Sequence, residues 1–211
     1  MKILIVAATE IEIMPLFKLK NELSIADILV TGIGIAATAY MLGRKLTQQK
    51  FDLVINAGIA GAFNKDLAMG EVVNVRNDYF YDIGAEDGDN FIPFYRLSLY
   101  DIFSRNTQDG KIFNNSVFYN RTLETLKTVS GITVNTVHGN VESIKKVIDN
   151  CNPDIETMES AAFMYVCQSE KVPFLQIRAI SNYVSKRDKS EWNIDLAIQN
   201  LNRTIADIIK N

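Results

Sequence analysis

Histidine and cysteine are nearly missing from this chain of 211 residues, and their scarcity removes whole classes of chemistry. His138 is the only histidine, so a Ser-His-Asp triad or a conventional zinc site would have to be built around it. No cysteine stands at a ligand spacing from it, and neither site is expected. Cys151 and Cys167 are too few to staple a secreted domain and read as reduced, partly buried small side chains. Basic charge is not in excess either. The net charge is −3, and the densest cationic cluster (Lys186, Arg187, Lys189) is diluted by Asp188 and Glu191, so no nucleic-acid-binding face is expected. The apolar run within Met1–Ala8 is too short for a membrane helix and lacks the length and processing site of a signal peptide. It reads as a buried first strand, and a cytoplasmic protein without a membrane partner is the expectation. Linkers, repeats and low-complexity segments are also absent, which predicts one domain over 1–211.

What is present is an ordinary core-forming composition, 47% hydrophobic, in which apolar runs alternate with amphipathic segments. That alternation predicts an α/β layer fold: three layers, with a twisted mixed central sheet flanked by helices. Strands are expected at Lys2–Ala8, Asp27–Thr31, Leu53–Asn56, Glu71–Tyr81, Lys111–Phe118, Ile132–Val137 and Phe174–Ile180. Helices are expected at Glu10–Lys18, Ile35–Gln48, Asn120–Val129, Val141–Ile148, Glu159–Glu170 and Asn193–Ile209. The last is the clearest, with Ile194, Ala197, Ile198, Leu201, Ile205 and Ile208 on one stripe and Asp195, Asn202, Arg203 and Asp207 on other faces. The acidic segment Asp82–Asp89 reads as an exposed loop.

Ligand crevices of open α/β sheets lie at the carboxyl ends of strands, and the polar residues there carry the functional argument. Thr9-Glu10-Ile11-Glu12 follows the first strand. It fits a capping box, and it equally places Glu10 or Glu12 where a carboxylate could activate water. Thr31-Gly32-Ile33-Gly34-Ile35-Ala36 turns from strand to helix, as a plain tight turn or with Gly34 near a ligand. It lacks the third glycine of a dinucleotide fingerprint. The small residues of Asn56-Ala57-Gly58-Ile59-Ala60-Gly61 would let a flat ring or sugar approach backbone at Ala57 and Gly58, or would form a tightly packed loop. Glu159 opens a helix after Met158, where it could grip vicinal hydroxyls or simply complement the helix dipole. Ser181 and Asn182 end a strand, and Asn182 could read a heterocycle edge or serve as a turn residue. Arg178, inside an apolar strand, reads as a paired structural arginine, and Trp192 as a lid or an anchor for the last helix.

Taken in order, Glu10-Ile11-Glu12, Gly32-Ile33-Gly34, Asn56–Gly61, Gly70-Glu71-Val72-Val73, Met158-Glu159 and Arg178-Ala179-Ile180-Ser181 resemble the nucleoside phosphorylase and nucleosidase superfamily over essentially the whole chain. The hydrolase branch, which includes methylthioadenosine/adenosylhomocysteine nucleosidase, is the nearer likeness. Asp82–Asp87 and Ser181–Asp188 with Trp192 look like the futalosine hydrolase family, which releases hypoxanthine on an alternative menaquinone pathway.

The resemblance implies roles. Glu12 matches the water-activating carboxylate, Glu159 the ribose-binding one, and Met158 lies under the sugar. Asn182 departs from the adenine-releasing nucleosidases, which carry aspartic acid there. A 6-oxopurine presents acceptors at O6 and N7, which an amide NH2 satisfies and an ionised carboxylate repels. Asn182 is then the group that stabilises the leaving base. No metal or organic cofactor is implied. The implied partner is a nucleoside substrate, and relatives that complete the site across an interface imply at least a homodimer. For the substrate's 5′ end, Phe91, Phe94, Tyr95 and Arg96 are candidates, or else a buried aromatic cluster.

Overall fold

The computed structural model describes residues 1–23, 25–88, 90–97, 107–116 and 118–210. Its strands are β1 (Ile3–Ala7), β2 (Ile25–Val30), β3 (Leu53–Ala62), β4 (Val72–Asp78), β5 (Gly84–Asp87), β6 (Asn90–Pro93), β7 (Thr107–Gln108), β8 (Lys111–Phe113), β9 (Lys127–Thr133), β10 (Ile155–Thr157) and β11 (Phe174–Tyr183). Its helices are α1 (Glu10–Leu19), α2 (Ile35–Gln48), α3 (Arg121–Thr125), α4 (Val141–Cys151), α5 (Ser160–Ser169) and α6 (Ile194–Lys210).

β1 shows how the layers follow from the residues. It pairs in parallel with β2 and β3, and every residue from Ile3 to Ala7 is buried. A parallel strand covered on both faces needs apolar side chains at successive positions, which is what the run Ile-Leu-Ile-Val-Ala provides. Ile3, Ile5 and Ala7 pack with Ile13 of α1 and Leu201 and Ile205 of α6. Leu4 and Val6 point the other way, against Leu42 of α2 and Phe163 of α5. This is the expected three-layer mixed sheet with helices on both faces.

The sheet also closes on itself, because β3 pairs β10 and β11, β9 pairs β10 and β4, and β11 pairs β4. Ala60, Val73, Val75, Val129, Ile155 and Ile180 fill the space inside that ring.

Four sequence expectations are corrected. The helix expected at Asn120–Val129 ends at Thr125, and the strand expected at Ile132–Val137 begins at Lys127. The stretch Thr128–Thr133 is rich in β-branched residues and pairs in parallel with β4, which outweighs the helical spacing of Leu123 and Leu126. The acidic loop 82–89 contains β5, which forms a hairpin with β6. β3 runs six residues beyond Asn56, through the small residues that looked like a loop.

Candidate active site

β3 carries glycine at two positions where neighbouring elements bring polar groups close. At Gly58 a Cβ would lie 2.9 Å from Glu12 Oε1 and 3.0 Å from Arg178 Nη1. Glu12 is 9% exposed and turned inward, while Glu10 faces solvent. Oε2 of Glu12 accepts from the Thr9 backbone N–H (3.0 Å) and hydroxyl (2.8 Å), and Oε1 accepts from the Ile59 N–H (3.1 Å). One oxygen therefore serves the capping box of α1, and the other lies against the β3 backbone. Asn202 of α6, which the helical stripe places on another face, is 4% exposed, and its amide donates to the Glu12 carbonyl at 2.7 Å. It fixes α6 against the first turn of α1.

Glu159 stands at the N-cap of α5, and its Oε1 accepts from the Gly34 N–H at 2.9 Å. Gly34 has φ of 96°, a conformation that favours glycine. Burial raises the Glu159 pKa, opposed by the Arg178 charge and the Gly34 N–H, and the nearby Glu12 charge pushes it up further. Arg178 is 1% exposed and donates to Asn56 Oδ1 (2.8 Å), the Ile177 carbonyl (3.2 Å) and Ser160 Oγ (3.3 Å). Burial lowers its pKa while the Glu159, Glu12 and Asp78 charges raise it. Its hydrogen bonds go to neutral groups and its Nε has no partner among the described residues, so the acids act on it through their charge and not through the direct ion pair expected from the sequence.

Three residues further along β3, about 10 Å at strand rise, Gly61 is the second position of close approach. Gly61 is in register with Asn182 of β11 on one side and Glu156 of β10 on the other. A Cβ at Gly61 would lie 3.3 Å from Asn182 Nδ2 and 3.6 Å from Glu156 Cγ. A cavity of about 120 Å³ opens here, bordered by Asn182, Glu156, His138, Arg187 and Trp192. Ser181 is 2% exposed and does not reach the cavity as a ligand would; its hydroxyl donates to Asn182 Oδ1 at 2.8 Å. The Tyr183 carbonyl, which can only accept, sets the amide's orientation by taking an N–H from Nδ2. Asn182 Nδ2 spends one N–H on the Tyr183 carbonyl (3.1 Å) and keeps its second.

The remaining expected residues scatter more. The Ala57 side chain belongs to the core beside Ile5 and Ile177, leaving only its backbone for a ligand, and Met158 is half-buried next to Glu159. Phe94 is buried against Phe80, and Arg96 lies over the Tyr95 ring. Phe91 borders a second, larger cavity of about 480 Å³ that also touches His138. The Arg187 guanidinium stacks over Trp192 at 5.2 Å, so the tryptophan is part of the cavity rim.

Asp78 is fully buried behind Arg178. Burial pushes its carboxyl up to about 7 against the Thr133 hydroxyl and the Arg178 charge. Between about pH 4 and pH 7 the folded protein therefore holds a proton that the unfolded chain has lost, so this group's stability contribution declines as pH rises through that window. Asp78→Asn is expected to melt above the parent at pH 8 and to lose that advantage at pH 4, which thermal unfolding at the two pH values checks.

A mixed sheet between helix layers, with two acids about a buried guanidinium and an amide further along one strand, defines a site of the nucleoside phosphorylase and nucleosidase type. The chain belongs to the phosphorylase superfamily, whose profile matches residues 27–210. Futalosine hydrolase of Acidothermus cellulolyticus is 29% identical over 86% of this chain and 74% of its own length. The 5′-methylthioadenosine/S-adenosylhomocysteine nucleosidase of Psychromonas ingrahamii is 26% identical over 91% of this chain and 84% of its own. Among solved structures, the methylthioadenosine/adenosylhomocysteine nucleosidase of Streptococcus pneumoniae superposes with a TM-score of 0.79 at 18% identity, covering 100% of this chain and 99% of that one.

Proposed function

We propose that this chain hydrolyses the N-glycosidic bond of futalosine without phosphate, releasing hypoxanthine. The observation that carries this reading is Asn182: its Oδ1 is taken by Ser181, which leaves an N–H donor, not a carboxylate, at the Gly61 cavity. A donor there suits the O6 and N7 acceptors of a 6-oxopurine. The similarity to relatives named futalosine hydrolase supports the same assignment.

In this reading Glu12 takes a proton from water and directs it at C1′, and Glu159 accepts from O2′ and O3′. The Asn182 amide stabilises negative charge on the departing base. Arg178 keeps the two carboxylates together without contacting substrate. The reaction passes through an oxocarbenium-like state, and the ribose grip supplies the orientation that makes water attack near-unimolecular. Phosphate is disfavoured as nucleophile, since two carboxylates face one buried guanidinium and the Gly32–Gly34 turn carries no cation.

The second reading, cleavage of methylthioadenosine or adenosylhomocysteine, rests on the relatives named for that activity. Incubation with futalosine, inosine and methylthioadenosine, with and without phosphate, separates the two readings. Futalosine cleavage indifferent to phosphate is the expected result. Adenine release from methylthioadenosine in preference to futalosine cleavage, or a phosphate requirement, overturns it. Asn182→Asp is expected to lower futalosine turnover on the order of 10²–10³-fold, the loss typical of a charge-stabilising donor. The same variant is expected to improve methylthioadenosine cleavage relative to futalosine, because an acid beside the Tyr183 carbonyl favours its protonated form.

A further inference from the structure

The Gly61 cavity holds a second polar group that the proposed reaction leaves unused. Glu156 is 4% exposed, and both of its oxygens are engaged by one residue. Oε1 accepts from the His138 backbone N–H at 3.0 Å, and Oε2 lies 2.7 Å from His138 Nδ1. A carboxylate facing Nδ1 places the imidazole proton there. The ring is held edge-on by Phe63 (centroids 6.2 Å) and Tyr81 (5.8 Å). A paired acid can serve structure alone, but this pair borders a cavity, and each carboxylate oxygen keeps one lone pair free for a further donor.

Position gives that capacity a direction. β3 is flanked by β10 and β11, and the cross-strand row reads Glu156, Gly61, Asn182. Across the missing side chain of Gly61, an acceptor therefore faces a donor. The edge of a 6-oxopurine from its five-membered to its six-membered ring runs N7, O6, N1–H: two acceptors, then a donor. A 6-aminopurine runs acceptor, donor, acceptor. With N7 and O6 toward Asn182, the N1–H of an oxopurine points to Glu156, whereas adenine would present its N1 lone pair to the carboxylate.

We infer that Glu156 is a specificity-determining residue that accepts the N1–H of a 6-oxopurine, and that His138 is the positioning residue that aims it. The inference rests on the purine-nucleoside reading of the site and names the base-recognition pair within it: the one free Asn182 N–H is shared by O6 and N7, and Glu156 reads N1. A base lacking either feature leaves a buried polar group unpaired, which is how such sites reject near-isosteric ligands.

Calorimetry on the full chain with hypoxanthine, 1-methylhypoxanthine and adenine tests the pair. The unaltered protein is expected to bind hypoxanthine on the order of 10²-fold more tightly than either comparison base. Glu156→Gln, which keeps the volume and can offer an amide NH2, is expected to collapse the hypoxanthine-to-adenine ratio by a similar factor, and His138→Asn by a smaller one. Equal binding of hypoxanthine and 1-methylhypoxanthine by the unaltered protein overturns the inference, as does an unchanged ratio in folded Glu156→Gln. The methylated-base comparison needs no variant, so misfolding of a mutant does not shield the idea. Base release from futalosine is read separately. Discrimination at N1–H without hydrolysis sinks the proposed reaction alone, and hydrolysis without that discrimination sinks the Glu156 assignment alone.

Discussion

Glu12→Gln is expected to reduce kcat on futalosine on the order of 10²–10⁴-fold, the contribution of a positioned general base, with KM much less affected. The carboxylate reaches back to Thr9 and forward to Ile59, so its place is set by three donors and not by the substrate. Glutamine keeps the length and one acceptor but cannot take a proton from water. Its NH2 must also face the donors of either Thr9 or Ile59, which adds a folding cost of about 1–3 kcal/mol for the mismatched group. The two effects separate by measurement, since turnover reads the lost base and thermal unfolding reads the lost cap. Thr9→Val is the control. It removes the hydroxyl donor to Oε2 while leaving Glu12 in place, so it is expected to cost stability while retaining most of the activity. If Glu12→Gln turns over futalosine at the parent rate, the proposed water activation is wrong.

Much of this arrangement is legible in the chain because the residues that make it obey local rules. β1 announces itself as an unbroken apolar run, and α2 spans Ile35–Gln48 as its periodicity requires. Glu12 and Glu159 are visible because an acid directly after a strand, or at the start of a helix, has few other places to go. What stays hidden depends on contacts far apart in sequence. The run Asn56–Gly61 looks like a loop because small residues have low strand propensity; it becomes strand because β11 and β10 pair with it and because Glu12, Arg178, Asn182 and Glu156 fill the space its side chains would occupy. Asn202 lies off the apolar stripe of α6, and nothing local reveals that the Glu12 carbonyl waits for it. Glu156 and His138 are 18 residues apart, and the parallel pairing of β10 with β9 across α4 brings them together.

Arg178→Met is expected to be the most destabilising single change in the site. The guanidinium is fully buried, and three acids, Glu12, Glu159 and Asp78, answer its charge. Removing one member of a buried ionic cluster leaves the others uncompensated and costs about 3–5 kcal/mol, whereas replacing a whole pair by packed apolar groups is often neutral or stabilising by roughly 1–4 kcal/mol. At about 2–4 °C per kcal/mol for a chain of this size, the melting temperature is expected to fall by roughly 10 °C. Lysine is not a conservative repair. One ammonium cannot reproduce the fork that bonds Asn56 and Ser160 together while facing Glu12 across Gly58. A specific pH signature follows from the direction of the Glu159 shift. Arg178 opposes the burial that raises the Glu159 pKa, so its loss lets that pKa climb further. If Glu159 grips the ribose as a carboxylate, the acid limb of the rate profile in surviving Arg178→Lys or Arg178→Met protein moves to higher pH. Adding Asp78→Asn to Arg178→Met removes one orphaned charge and is expected to recover part of the lost stability at pH 8, more than at pH 4 where Asp78 already carries its proton. Unchanged melting in Arg178→Met, or a double variant no more stable than the single at pH 8, would show that this guanidinium is not the counterion of the acid cluster.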